Sequence, residues 1–217
     1  MGNLMILKLF SAALILFSCN NAPIKADKNN SDTKKQINNE TAEIKESTRI
    51  DTIDIGLRFY ASGWLGDGAT YGKKAIIFQD NCSNKPYSPP ICFKVVYIPQ
   101  TVGWAGIYWQ NRPNNFGKVA GENYSNKGYS KITFWARGET GTELIEFKSG
   151  GINSASNPNG NQYRDTYEVS TGKIVLGREW RKYTINLEGQ NLSSVIGGFC
   201  WIATNNVTFY LDNIYLE

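Results

Sequence analysis

The chain contains no histidine. That removes the Ser-His-Asp and Cys-His nucleophile systems, histidine general bases and histidine-ligated zinc. Basic patches with interleaved aromatics are also missing. Net charge is only +4, and much of the basic excess sits in the N-terminal segment, so nucleic acid is not an expected partner. No repeat of propeller or solenoid period is visible. Helix formers are scarce after residue 50. What the 217 residues do hold is 41% hydrophobic residues, enough for a core, with 13% aromatics and 21 glycines. Short β-rich runs recur between turn signals.

The front end reads as an export signal. Residues 1–18 are short and apolar, with Lys8 near the start, too short for a transmembrane helix of about 20 apolar residues. The run Leu16-Phe17-Ser18-Cys19 resembles a bacterial lipobox, which implies cleavage before Cys19 and lipidation of that cysteine. Residues 19–49 are rich in Asn, Lys, Asp, Glu, Ser and Thr. They hold too little apolar surface to offset ordering entropy, so a flexible tether is expected. Asn20 after the cysteine resembles outer-membrane sorting signals, which implies a lipoprotein of the outer membrane held by a lipid anchor.

Export sets the reading of the cysteines. Cys82 and Cys92 flank NKPYSPP, a turn-rich stretch, and in an oxidising compartment they are expected to form a disulfide. Cys200, in GGFCWIA, reads as a small buried hydrophobe.

Residues 50–217 are expected to form one all-β domain. Thr52–Tyr60 reads as a strand and Ala61–Gly72 as a glycine-rich loop. Further strands follow at 74–79, 91–98, 103–110, 131–137, 143–148, 166–169, 173–176, 180–187, 197–203 and 207–216. About ten strands with alternating polarity suit a sandwich of two antiparallel sheets.

The stretch GWAGIYWQNRPNNFG, residues 103–117, carries the functional expectation. Alternation puts Ala105, Ile107 and Trp109 on one face, and Trp104, Gly106, Tyr108 and Gln110 on the other. The same rule turns Trp135 and Arg137 outward on KITFWAR, and Glu146 and Lys148 outward on ELIEFK. If these strands are neighbours in one sheet, Tyr108, Gln110, Trp135, Arg137, Glu146 and Lys148 form one polar-aromatic face. Rings stack on pyranose C–H groups, while amides, guanidinium and carboxylates bond to hydroxyls. The alternatives are a strand buried on both sides, and packing of Trp135 under a covering loop. Among carboxylates such as Glu139, Glu146, Asp165 and Glu168, no spacing marks the pair that glycoside hydrolysis requires.

Residues 53–217 resemble the jelly-roll, galactose-binding-like carbohydrate-binding modules. The resemblance rests on WLGDG, GWAGIYWQ with its NNFG loop, KITFWARGE, WRKYTINL and the closing FYLDNIYLE. It implies a jelly-roll fold and non-catalytic binding of a polysaccharide or oligosaccharide by a monomer. It places the ligand on the sheet face above or in edge loops that include Trp64 and Asn114. It also implies a structural calcium ion held by Asp212, with Asp54 or Asp67 supplying a further carboxylate. A protein-interaction lipoprotein and a glycoside hydrolase or lyase are the competing functions.

Overall fold

A computed structural model describes residues 51–153 and 160–217. The expected signal peptide, Cys19 and the expected tether lie outside the described residues. Those described form eleven strands: β1 (Ile53–Asp54), β2 (Tyr60–Gly66), β3 (Ile76–Cys82), β4 (Cys92–Tyr97), β5 (Ala105–Gln110), β6 (Lys131–Gly138), β7 (Glu143–Gly150), β8 (Glu168–Leu176), β9 (Arg181–Asn186), β10 (Gly197–Ala203) and β11 (Val207–Leu216).

One sheet has the order β3-β4-β11-β6-β9, with β1 added beside β11; the other has the order β2-β5-β10-β7-β8. All strand pairings among the described residues are antiparallel. Only β3–β4 and β7–β8 follow one another within a sheet; every other connection between consecutive strands crosses to the opposite sheet. The four-strand blocks β4-β11-β6-β9 and β5-β10-β7-β8 are the two sheets of a jelly roll, with β3 and β2 added at one edge. Alternation fills the space between them. Phe134 of β6 meets Phe147 of β7 at 4.6 Å and Phe199 of β10 at 5.0 Å, and Trp201 meets Phe209 of β11 at 5.3 Å.

Three local expectations are corrected. Thr52–Tyr60 is not one strand. The Asp54 side chain accepts the Leu57 N–H at 3.1 Å and starts a helical turn, α1 (Ile55–Arg58). This is ordinary N-capping by aspartate, and it outweighs the β-like alternation of Ile53, Ile55 and Leu57. The glycine-rich loop is instead β2 followed by α2 (Asp67–Tyr71). The two short strands around Gly172 are one strand, β8. Gly172 has φ +64°, and the register against β7 slips by one residue there.

Candidate functional site

The expected single polar-aromatic face does not exist. β6 belongs to one sheet, and β5 and β7 to the other. Trp135 and Arg137 therefore lie on one outer surface of the sandwich, and Tyr108, Gln110, Glu146 and Lys148 on the opposite one. Alternation gave the orientation of each side chain correctly. The Greek-key crossings, invisible to alternation, separated the strands.

On the β5–β7 side, Tyr108 is 4% and Gln110 0% exposed. The Tyr108 hydroxyl donates to the Gly150 carbonyl at 2.9 Å, and Tyr108 packs with Ile152, Ile196, Cys200 and Phe116. Burial pushes its phenol far up. The Gln110 amide oxygen accepts the Ser62 hydroxyl at 3.3 Å. Glu146 and Lys148 are half-buried. Glu146 accepts the Ser170 hydroxyl at 2.6 Å, and Lys148 pairs with Glu168. The cover over Tyr108 is anchored by Asp165, whose carboxylate takes the N–H groups of Ile152, Ile196 and Gly197. Burial raises Asp165 from 3.8 to about 6, against the lowering effect of those bonds. Gly150 is required where it stands. Its φ is +70°, and a Cβ would come within 2.2 Å of the Tyr167 carbonyl oxygen.

On the β6–β11 side, the loop of residues 83–91 between β3 and β4 folds back over the sheet. Tyr87 stacks on Trp135, with centroids 3.6 Å apart and planes at 15°. Arg137, 8% exposed, lies with its guanidinium 3.6 Å from the Tyr210 ring centroid and 5.3 Å from that of Trp180. One of its nitrogens donates to the Asn84 carbonyl at 2.9 Å. Further ties come from Asn84 Nδ2 to the Tyr210 hydroxyl, from Trp180 Nε1 to the Lys85 carbonyl and from the Ser88 N–H to Asp212. The most informative outward tryptophan of the sequence is thus a seat for a loop.

Both expected metal ligands accept hydrogen bonds from the protein. Asp67 is fully buried and accepts the Tyr97 hydroxyl at 2.7 Å and the N–H groups of Gln100, Val102 and Gly103. Burial pushes its carboxyl up, but these donors outweigh it and hold the carboxyl below its ordinary value. With four donors, this carboxylate pins the β4–β5 connection. Asp212 accepts the Ser88 N–H at 3.0 Å, and burial raises its carboxyl, with nearby Asp54 adding to the rise. Among the described residues, no group of three or more His, Cys, Asp or Glu is placed to hold a metal ion. Cys82 and Cys92 are opposed on β3 and β4 as free thiols, so the expected disulfide is not formed in this structure. Cys200 is fully buried, as expected.

An open cleft of about 660 Å³ lies at the edge of the sandwich, flanked by the edge strands β2 and β3. Its apolar lining includes Phe78, Phe93 and Trp109. Phe78 and Phe93 stack at 5.8 Å, and both meet Trp109 edge-on, at 5.7 and 5.6 Å. Leu57, Tyr60 and Ile91 also line it and are well exposed. Asp54, Asp80, Asp212 and Ser62 supply polar groups, and no lysine or arginine is among its described lining residues. Of the expected edge-loop residues, Asn114 borders the cleft: its N–H donates to the lining Ser62 hydroxyl at 2.9 Å, and its neighbour Pro113 lines the wall. Trp64 does not; it packs half-buried against the core. Sequence reasoning missed Phe78, Phe93, Tyr60 and Asp80. The strands of Phe78 and Phe93 were legible, but β2 reads as a loop in the sequence, and the pairing that makes β2 and β3 edge neighbours was not legible.

No family model and no curated protein matches the chain. Solved structures that resemble it include carbohydrate-binding modules. One is a family 11 module of a cellulosomal cellulase of Clostridium thermocellum, at 16% identity over 65% of this chain and 80% of that one, with a TM-score of 0.43. Another is a family 30 module, at 12% identity over 66% and 73%, TM-score 0.43. A third, a family 29 module complexed with cellulohexaose, shares 8% identity over 76% and 89%, TM-score 0.39.

Proposed function

We propose that the chain is a non-catalytic glycan-binding protein of the bacterial cell envelope, held by a lipid on Cys19, and that its edge cleft takes the sugar. The observation that carries this reading is the cleft itself. Its volume of about 660 Å³ falls in the range of roughly 300–1,000 Å³ usual for small-molecule sites. Aromatic rings offer faces to pyranose C–H groups, while carboxylates and a hydroxyl at the rim accept or exchange bonds with sugar hydroxyls. A broad flat apolar patch would suit a protein partner better than this carboxylate-rimmed groove does. Because the rim carries carboxylates and no described cation, neutral sugars fit and uronates are repelled. Affinity electrophoresis against neutral and uronate polysaccharides tests this. Retardation by a neutral glycan, weakened by Tyr60→Ala, supports it; retardation only in uronate gels contradicts it.

One observation favours a second reading, a glycoside hydrolase. Asp54 and Asp212 face the same cleft, and burial raises both carboxyls. Each, however, already accepts a backbone N–H, from Leu57 and Ser88 respectively. Binding without release of reducing ends is the expected outcome; release that Asp212→Asn abolishes would establish the enzyme. Structural calcium, in this reading, belongs with the remaining lone pairs of Asp212 and Asp54. A higher melting temperature in calcium than in EDTA, lost in Asp54→Asn, supports that placement, and identical melting in the two contradicts it.

A further inference from the structure

The loop of residues 83–91 serves two places at once. Its ends are Cys82 and Cys92. Its body is seated on the β6–β11 surface by Asn84, Lys85, Tyr87 and Ser88. Its last residue, Ile91, lines the cleft together with Cys92, and Asp80 lines it from the other side of the hairpin base.

The two cysteines face each other because of one extra residue. Gln79 pairs with Lys94, so an uninterrupted register would set Asn81 opposite Cys92. The register shifts between Gln79 and Cys82, and Cys82 takes that place. Directly opposed residues on antiparallel strands project to the same face with Cβ atoms about 4.5–5.5 Å apart, close to the 3.5–4.5 Å of a disulfide. The Cys92 thiol already rests against β3, with Sγ 3.4 Å from the Cys82 carbonyl oxygen. The third described cysteine, Cys200, is buried on β10 in the other sheet and does not compete.

We propose that Cys82 and Cys92 are a disulfide site, and that the bond fixes the 83–91 loop as the shared wall of the cleft and cover of Trp135. The bond forms by exchange with a small-molecule or protein disulfide. Cys82, the more accessible thiol, attacks one sulfur of the oxidant as its thiolate, losing its proton to solvent and expelling the first thiolate. Cys92, deprotonated in turn, then attacks Cys82 in the mixed disulfide and expels the second. Two electrons pass to the oxidant, and the two released protons balance its two thiolates as thiols. With the ends joined, Tyr87 stays on Trp135 and Ile91 stays in the cleft wall. The expected effect on the cleft, which rests on the glycan reading, is preorganisation.

The test treats the purified protein with glutathione disulfide, then alkylates it in denaturant without reductant and maps the label by mass spectrometry. Cys82 and Cys92 are expected to remain unlabelled while Cys200 is labelled; all three are labelled after dithiothreitol. Labelling of both Cys82 and Cys92 without reductant overturns the bond. Cys82→Ser, which keeps the loop and removes the link, is expected to melt several degrees below the oxidised protein and to bind a neutral glycan roughly five- to tenfold more weakly. A bond that forms while glycan affinity stays equal in both states overturns the shared-wall role. Failure to bind any glycan in either state sinks the glycan reading and leaves the labelling result standing.

Discussion

The two broad surfaces of the sandwich are closed by loops, and its edge is not. On one side, residues 83–91 cover Trp135 and Arg137; on the other, residues 150–153 and the loop bearing Phe116 cover Tyr108. At the edge, Phe78, Phe93 and Trp109 line an open cleft. All three places are rich in rings. The difference lies in what each ring meets. Trp135 meets Tyr87 and a buried guanidinium sits beside it, which is structural use of aromatic surface. Phe78 and Phe93 meet each other and the open cleft, which leaves surface for a ligand. An outward tryptophan therefore marks a place that needs a partner, and the chain itself can supply one.

Trp109 belongs to both worlds, packed against Phe199 in the core and lining the cleft. Trp109→Ala is expected to cost about 3–5 kcal/mol of unfolding free energy, read from urea denaturation, because it hollows the core. A cost below about 1 kcal/mol would mean the cleft extends into a loosely packed interior.

The Asp165 anchor should show in pH dependence. Its folded-state value, about 6, lies above its ordinary 3.8. The group therefore favours folding when protonated. Its contribution is complete below about pH 4 and is lost as pH rises through 6. At roughly 1.4 kcal/mol per unit this amounts to about 2–3 kcal/mol. Glu143 has the opposite sign. Burial raises it, but bonds from Thr140, Gly141 and Thr142 hold it below 4.5, so its contribution is present above that value and lost on acidification. Melting curves from pH 3.5 to 7 for Asp165→Asn and Glu143→Gln should separate the two slopes. Parallel curves for wild type and Asp165→Asn would show that the anchor is not titrating.

Trp135→Ala sharpens the comparison most economically. Loss of the Tyr87 stack, worth about 0.5–1.5 kcal/mol beyond area burial, should lower stability, while in the oxidised protein, whose loop ends the Cys82–Cys92 bond holds, glycan affinity stays within a factor of about two. Asp80, exposed on β3, gives the smallest stability effect. Asp80→Asn should change stability by less than about 0.5 kcal/mol and relax the exclusion of uronates, read by gel retardation.

Much of the fold was legible because alternation reports orientation directly. KITFWAR and GWAGIYWQ placed their inward and outward residues correctly, and the strand count came close. Sheet membership was not legible. It is set by long-range pairing, such as β6 with β11 and β9, that no local pattern encodes. Loop cover was hidden for the same reason: nothing near Trp135 in sequence says that Tyr87, at the far end of a hairpin, lies on it. Asp67 is a candidate metal ligand only through the family resemblance, and its surroundings were not legible. Its four donors come from Tyr97 and residues 100–103, thirty to thirty-six positions away.

The central claim is that the edge cleft, and not the covered sheet face, holds the sugar. Retardation of wild type, Tyr60→Ala and Trp135→Ala in gels of a neutral polysaccharide tests it most directly, with circular dichroism confirming that each variant is folded. The expected result is weakened retardation for Tyr60→Ala and wild-type retardation for Trp135→Ala. Retardation that survives Tyr60→Ala and disappears in a folded Trp135→Ala would contradict it and return the site to the β6–β11 surface.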